Sequence, residues 1–181
     1  MVYNNDEVIS MLKEIESRRS CKKFNNQMPS DEQIEEIVKA GLCAPSGKNT
    51  QNGIIVVIKN KEIRDSLAKV NAQIAGFKDD FDPFYNAPIV LLVLIKKCPN
   101  GIYDGSCMME NILIEAVNQG LGACWIHRAK EEIESAEGRE ILSSLNLDLE
   151  EYEGIAHAII GYPDCNPMPK SIKENRVIYL K

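Results

Sequence analysis

The sequence predicts an α+β fold: one β-sheet flanked by helices, in a single domain spanning residues 1–181. Three observations carry this expectation. Ile54–Ile58 is β-branched throughout and Ala87–Ile95 is continuously apolar or nearly so, as buried strands are. Apolar side chains recur at helical spacing around Ile34–Leu42 and Asp104–Gln119. Strand-like and helix-like segments alternate in an uneven rhythm, with no internal repeat, low-complexity segment or linker, which suits helices packed on one sheet.

Taken in order, Asp6–Arg18 reads as an amphipathic helix, with Val8, Met11, Leu12 and Ile15 on one stripe. A second helix starts within Pro29–Ile34. Ser30 and Gln33 form a capping box there, and Asp31 and Glu32 suit the positive end of the helix dipole. Its apolar stripe runs through Ile34, Ile37, Val38, Gly41 and Leu42, and Pro45 ends the pattern. Gly53–Lys59 is expected to be a strand buried on both faces. Glu62–Ala75 is a helix. Gly76–Asn86 sets Phe77, Phe81, Phe84 and Tyr85 among aspartates and a proline, and is expected to be irregular. Pro88–Lys97 is a second buried strand, and Asp104–Gln119 a long apolar helix stopped by Gly120. Leu121–Ile126 is a short strand, Lys130–Leu145 a helix, and Gly154–Gly161 and Arg176–Leu180 are two further strands.

Composition narrows the function. Lys plus Arg number 21 against 27 Asp plus Glu, for a net charge of −6. General nucleic-acid binding is disfavoured, because its dominant phosphate term would be repulsive. Six cysteines include no Cys-x-x-Cys pair, and the two histidines are His127 and His157. A structural zinc or iron–sulfur site is therefore not expected. The N-terminal residues lack the basic-then-apolar order of a secretory signal, so a cytoplasmic protein with reduced, buried thiols is expected. Ala87–Ile95 is too short to span a bilayer as a helix.

Against the acidic background, Ser17–Phe24 concentrates four cations. Arg18 and Arg19 offer forked donors, Ser20 a hydroxyl, and Lys22 and Lys23 point charges, a mixture suited to the oxygens of one phosphate. A solvated basic turn is the alternative. Ala44–Gln51 combines proline, glycine and short polar residues into a turn whose backbone amides can face a ligand, or which simply connects helix to strand.

In order and spacing, these two stretches, with Gly120–Ile126 and Ile159–Pro163, resemble the nitroreductase family of FMN-dependent oxidoreductases. The resemblance runs from about Ile9 to the C-terminus. It implies a central mixed β-sheet flanked by helices and an intertwined homodimer, with Arg176–Leu180 as the candidate strand given to the partner's sheet. It implies that Arg18, Arg19, Ser20 and Lys22 hold the FMN phosphate and ribityl chain. Pro45, Ser46 and Asn49 match the loop that contacts the flavin from the partner subunit. Backbone at His127 or Arg128 would meet flavin N5, with Trp125 and Ile126 along the ring. Trp125 reads equally as a core aromatic, and Cys124 as an inert buried thiol. A late cation completes the phosphate site in the family. Lys173 is the first choice among Lys170, Lys173 and Arg176, with the register open. Many members carry Gln-Pro-Trp where this chain has Gln51-Asn52-Gly53, which removes an apolar packing element at the strand entry.

The implied activity takes hydride from NADH or NADPH to flavin N5 and passes it to a nitroaromatic or quinone by a ping-pong cycle. No Gly-x-Gly-x-x-Gly is present, so one slot serving donor and acceptor is expected. No metal, nucleic acid or membrane enters this reading. The same resemblance leaves room for dehydrogenation or dehalogenation, with Phe77–Tyr85 as a candidate lid, and for a flavin-binding protein without turnover.

Overall fold

The computed structural model describes residues 11–78 and 80–180. Strands β1 (Gly53–Ile58), β2 (Ile89–Lys96), β3 (Gly122–Ile126) and β4 (Tyr152–Gly161) form one sheet in the order β1-β2-β4-β3. All neighbouring strands are antiparallel. The mixed character expected of the sheet is reduced, among the described residues, to one parallel bridge between Ser20 and Ala123.

The sheet separates two apolar layers. Ile89, Leu91, Val93 and Ile95 face the layer of helices α2 (Asp31–Leu42) and α4 (Gly101–Asn118). Val90, Leu92 and Leu94 face the layer of α3 (Lys61–Ala75), α5 (Ala129–Glu134) and Phe84. This two-sided packing explains why β2 is continuously apolar rather than alternating. β1 is only half-buried, and Val57 is exposed. The expectation of burial on both faces fails there because β1 lies at the edge of the sheet.

The predicted capping box is present: the Gln33 N–H donates to Ser30 Oγ at 3.2 Å, and the Ser30 N–H to Gln33 Oε1 at 3.0 Å. Ile34, Ile37 and Gly41 are buried as expected, whereas Leu42 at the last position of α2 is exposed. The start of the predicted Asp6–Arg18 helix, with Val8, lies outside the described residues. Within them it is the short α1 (Lys13–Ser17), and Met11, Leu12 and Ile15 are exposed rather than packed in a core.

Three further expectations are corrected. The helix expected over Lys130–Leu145 breaks at Ser135, whose φ of −78° and ψ of 153° are extended. Ser135 Oγ accepts the Gly138 N–H at 3.0 Å, so the serine caps a separate helix, α6 (Ala136–Ile141). Arg176–Leu180 forms no strand, with Ile178 87% and Leu180 99% exposed. A strand needs a ladder partner, and the described residues supply none there. All six cysteines are free, yet only Cys21 and Cys124 are buried; Cys43, Cys107 and Cys165 are exposed.

Candidate functional site along strand β3

The basic stretch extends the sheet at its β3 edge. Ser20 bridges Ala123, and the Cys21 N–H donates to the Ala123 carbonyl at 2.9 Å. Beyond it, Phe24 bridges Pro163, and the Asp164 N–H donates to the Lys23 carbonyl at 2.9 Å. Gly122 makes this close approach possible, since a Cβ there would lie 2.7 Å from Cys21 Sγ.

The cations of this stretch divide. Arg18 is partly buried, with Nε 3.6 Å from Glu110 Oε1 on α4. The Cys124 thiol is pushed up by burial, against the opposing influence of the Ser20 hydroxyl and the charges of Lys22 and Arg18. Lys22 Nζ also sits 5.3 Å from the Tyr85 ring centroid. Arg19 turns to backbone oxygens instead. Its Nη1 donates to the Glu16 and Arg18 carbonyls at 2.8 and 2.6 Å, and its Nε to the Met168 carbonyl at 3.2 Å. Lys23 pairs with Asp164 at 2.7 Å.

The loop after α2 is internally braced. Lys48, Asn49 and Gln51 have positive φ, near 50°. The Gln51 N–H donates to Ser46 Oγ and Gln51 Nε2 to Asn49 Oδ1, both at 3.0 Å. The Gly47 N–H donates to both oxygens of Asp104, at 3.0 and 3.1 Å, which ties the loop to the first turn of α4. Pro45 and Ser46 line a cavity of about 160 Å³ with Asp104 and Met108. No hydrogen bond or ion pair among the described residues joins this loop to the basic stretch. Lys173 lies on an exposed segment outside any helix or strand.

At the end of β3, Ile126 buries its side chain in the α3–α5 layer, while Trp125 is half-buried against the other layer. The His127 carbonyl accepts a 2.8 Å hydrogen bond from Asn71 Nδ2. Arg128 has φ 79° and ψ 12°, in the left-handed region, and its guanidinium lies 5.3 Å from the Phe77 ring. The loop of Phe77, Phe81 and Tyr85, stacked edge to face at 4.9 and 5.7 Å, thus reaches Arg128 at one end and Lys22 at the other. Sequence reasoning missed Asn71, Glu132 and His157 beneath this turn, and Asp104 beneath the loop. They are single polar residues inside amphipathic or apolar segments, without a shared motif.

Fold and site together define an α+β protein with an antiparallel sheet and an anion-suited edge along its terminal strand. The nitroreductase family model matches residues 15–80. A protein of Methanothermobacter thermautotrophicus, provisionally named NADH dehydrogenase/NAD(P)H nitroreductase, is 28% identical over 180 residues, 96% of this chain and 87% of its own. The NADPH-flavin oxidoreductase of Vibrio harveyi is 29% identical over 85% of this chain and 66% of its own. The crystal structure of a nitroreductase with bound FMN from Bacteroides fragilis superposes with a TM-score of 0.85 at 21% identity, covering 93% of this chain and 97% of that one. An FMN-dependent nitroreductase of Clostridium difficile gives 0.75 at 26% identity, over 93% and 97%. The chain is thus similar to the nitroreductase family in sequence and to its solved members in fold.

Proposed function

We propose that this protein is an FMN-dependent NAD(P)H oxidoreductase working as a cytoplasmic homodimer. The observation that carries this reading is the seating of the basic stretch along β3, where Ser20 bridges Ala123 and Arg18 is partly buried. A guanidinium, a hydroxyl and an ammonium fit a phosphomonoester, which carries a charge near −2 and needs several charge-assisted donors. The V. harveyi relative's name and the FMN in the B. fragilis structure support the same reading.

When bound, FMN would supply the hydride chemistry. The chain's task is then to bind and orient. Arg18, Ser20 and Lys22 would hold the phosphate, and backbone at Arg128 would face the ring. Phe77, Phe81 and Tyr85 would wall the reacting space off from water between those two anchors. One slot would serve NAD(P)H and then a nitroaromatic or quinone in turn, since the sequence carries no separate dinucleotide fingerprint.

The homodimer follows from what one chain leaves open. Ile172, Val177, Ile178, Tyr179 and Leu180 are exposed on an unpaired segment, an apolar surface that calls for a partner. The Pro45–Asn49 loop, unconnected to the basic stretch of its own chain, is free to meet that of a second copy. Among the described residues no helix is long and apolar enough to cross a membrane.

Arg18→Ala tests the reading directly. Removing a charged donor from the phosphate should cost roughly 1.5–3 kcal/mol of FMN affinity. That is at least a tenfold rise in the dissociation constant, read by fluorescence titration of flavin-free protein. Unchanged FMN retention in this variant would remove the basic stretch from the site.

A further inference from the structure

Beneath the turn from β3 into α5 lie three polar side chains that the phosphate site does not use. Asn71 on α3, Glu132 on α5 and His157 on β4 are each no more than 1% exposed. Asn71 Nδ2 donates to the His127 carbonyl at 2.8 Å and also to Glu132 Oε1. The other Glu132 oxygen lies 3.1 Å from His157 Nε2. The His157 ring rests 5.0 Å from that of Phe84. Three elements thus send polar groups into one apolar layer, at a cost that buried polar groups recover only through their partners.

Of the three, Asn71 reaches the peptide joining His127 to Arg128. His157 pairs in register with Ile126, the last residue of β3. The Glu132 N–H donates to the Arg128 carbonyl at 3.0 Å. Between these points, Arg128 holds a φ of 79° despite carrying a side chain, a conformation that persists only where its surroundings enforce it. The 127–128 peptide is trans, so its C=O and N–H point in opposite directions. Asn71 takes the C=O from the interior, so the Arg128 N–H is aimed out of the interior. No acceptor among the described residues meets that N–H.

We infer that Asn71, steadied by Glu132, is a positioning residue that aims the Arg128 N–H as the hydrogen-bond donor to N5 of oxidised FMN. This rests on the FMN reading above, and it assigns to α3 a part in setting the flavin's redox poise. Oxidised N5 accepts a hydrogen bond, whereas N5 of reduced flavin carries its own hydrogen. A well-aimed donor therefore favours the oxidised form. A merely structural Asn71 would affect stability but not the balance between the two forms.

The test is the relative affinity of the protein for oxidised and reduced FMN, compared between wild type and Asn71→Ala. The expected result is selective weakening of the oxidised form, with the affinity ratio changed about tenfold. For a two-electron couple that raises the potential of the bound flavin by about 30 mV. An unchanged ratio in a folded, FMN-loaded Asn71→Ala protein overturns the inference while leaving the proposed function standing. Amide hydrogen exchange in the wild-type protein provides a second readout that needs no variant to fold. Oxidised FMN should slow exchange at Arg128, and unaltered exchange there on FMN loading would equally overturn it. A wild-type protein that takes up no FMN, seen as the lack of a flavin spectrum, overturns the inference and the proposed function together.

Discussion

Cys21 sits 3% exposed between the basic stretch and the segment after β4, its Sγ 3.4 Å from that of Cys165. Burial pushes its thiol from the ordinary 9.0 to about 11. Unfolded, the thiol ionises near 9.0; folded, it keeps its proton to about 11. Its contribution to stability is therefore complete below pH 9 and lost as pH rises from 9 to 11. Urea midpoints should fall through that window, and Cys21→Ala should flatten that part of the fall; an identical alkaline decline in the variant would contradict the assignment. Arg18 and Arg19 are adjacent but not equivalent. Arg19→Ala should weaken FMN less than Arg18→Ala, because its guanidinium is engaged by the Glu16, Arg18 and Met168 carbonyls; the same titration compares them. The sequence showed the concentration of charge at Arg18–Lys23 but not this division. Which way a side chain turns depends on carbonyls such as that of Met168, far away in the chain.

At the scale of elements, α5 and β4 approach closely enough that glycine is required between them. A Cβ on Gly154 would strike the Ala129 carbonyl at the start of α5. Gly154→Ala should therefore destabilise the fold by about 1–3 kcal/mol, as overpacking does, read as a lower urea midpoint. A midpoint within error of wild type would mean that α5 can shift away. Local signals were legible: the Ser30–Gln33 capping box, the stop at Gly120 and the apolar run of β2 all stand where the residues placed them. Non-local ones were not. β1 reads as a buried strand because β-branching records strand propensity, while its edge position depends on the order of the strands. Ser135 lies inside a helix-like run, and only its cap to Gly138 reveals the break. Asn71, Glu132 and His157 come from three separated segments, and no spacing rule could have joined them.

For the whole molecule, the exposed segment ending in Ile178, Tyr179 and Leu180 is the feature one chain leaves incomplete. Sedimentation should give twice the 20.3 kDa chain mass. Deletion of residues 166–181 should yield monomer with weakened FMN binding; a truncated protein that remains dimeric and fully loaded would remove the arm from the assembly. The resemblance to the family was legible because the basic stretch, the loop and the Gly120–Ile126 segment follow one another in the family's order. The acceptor was not, because its choice depends on surfaces that meet only with substrate. The central claim is tested most directly by the absorption spectrum of the purified protein, recorded without oxygen before and after NADH or NADPH is added. The account expects a flavin spectrum that bleaches on addition of one of the two. A protein that shows no flavin even after reconstitution with FMN, or a bound flavin that neither nucleotide reduces, would contradict it.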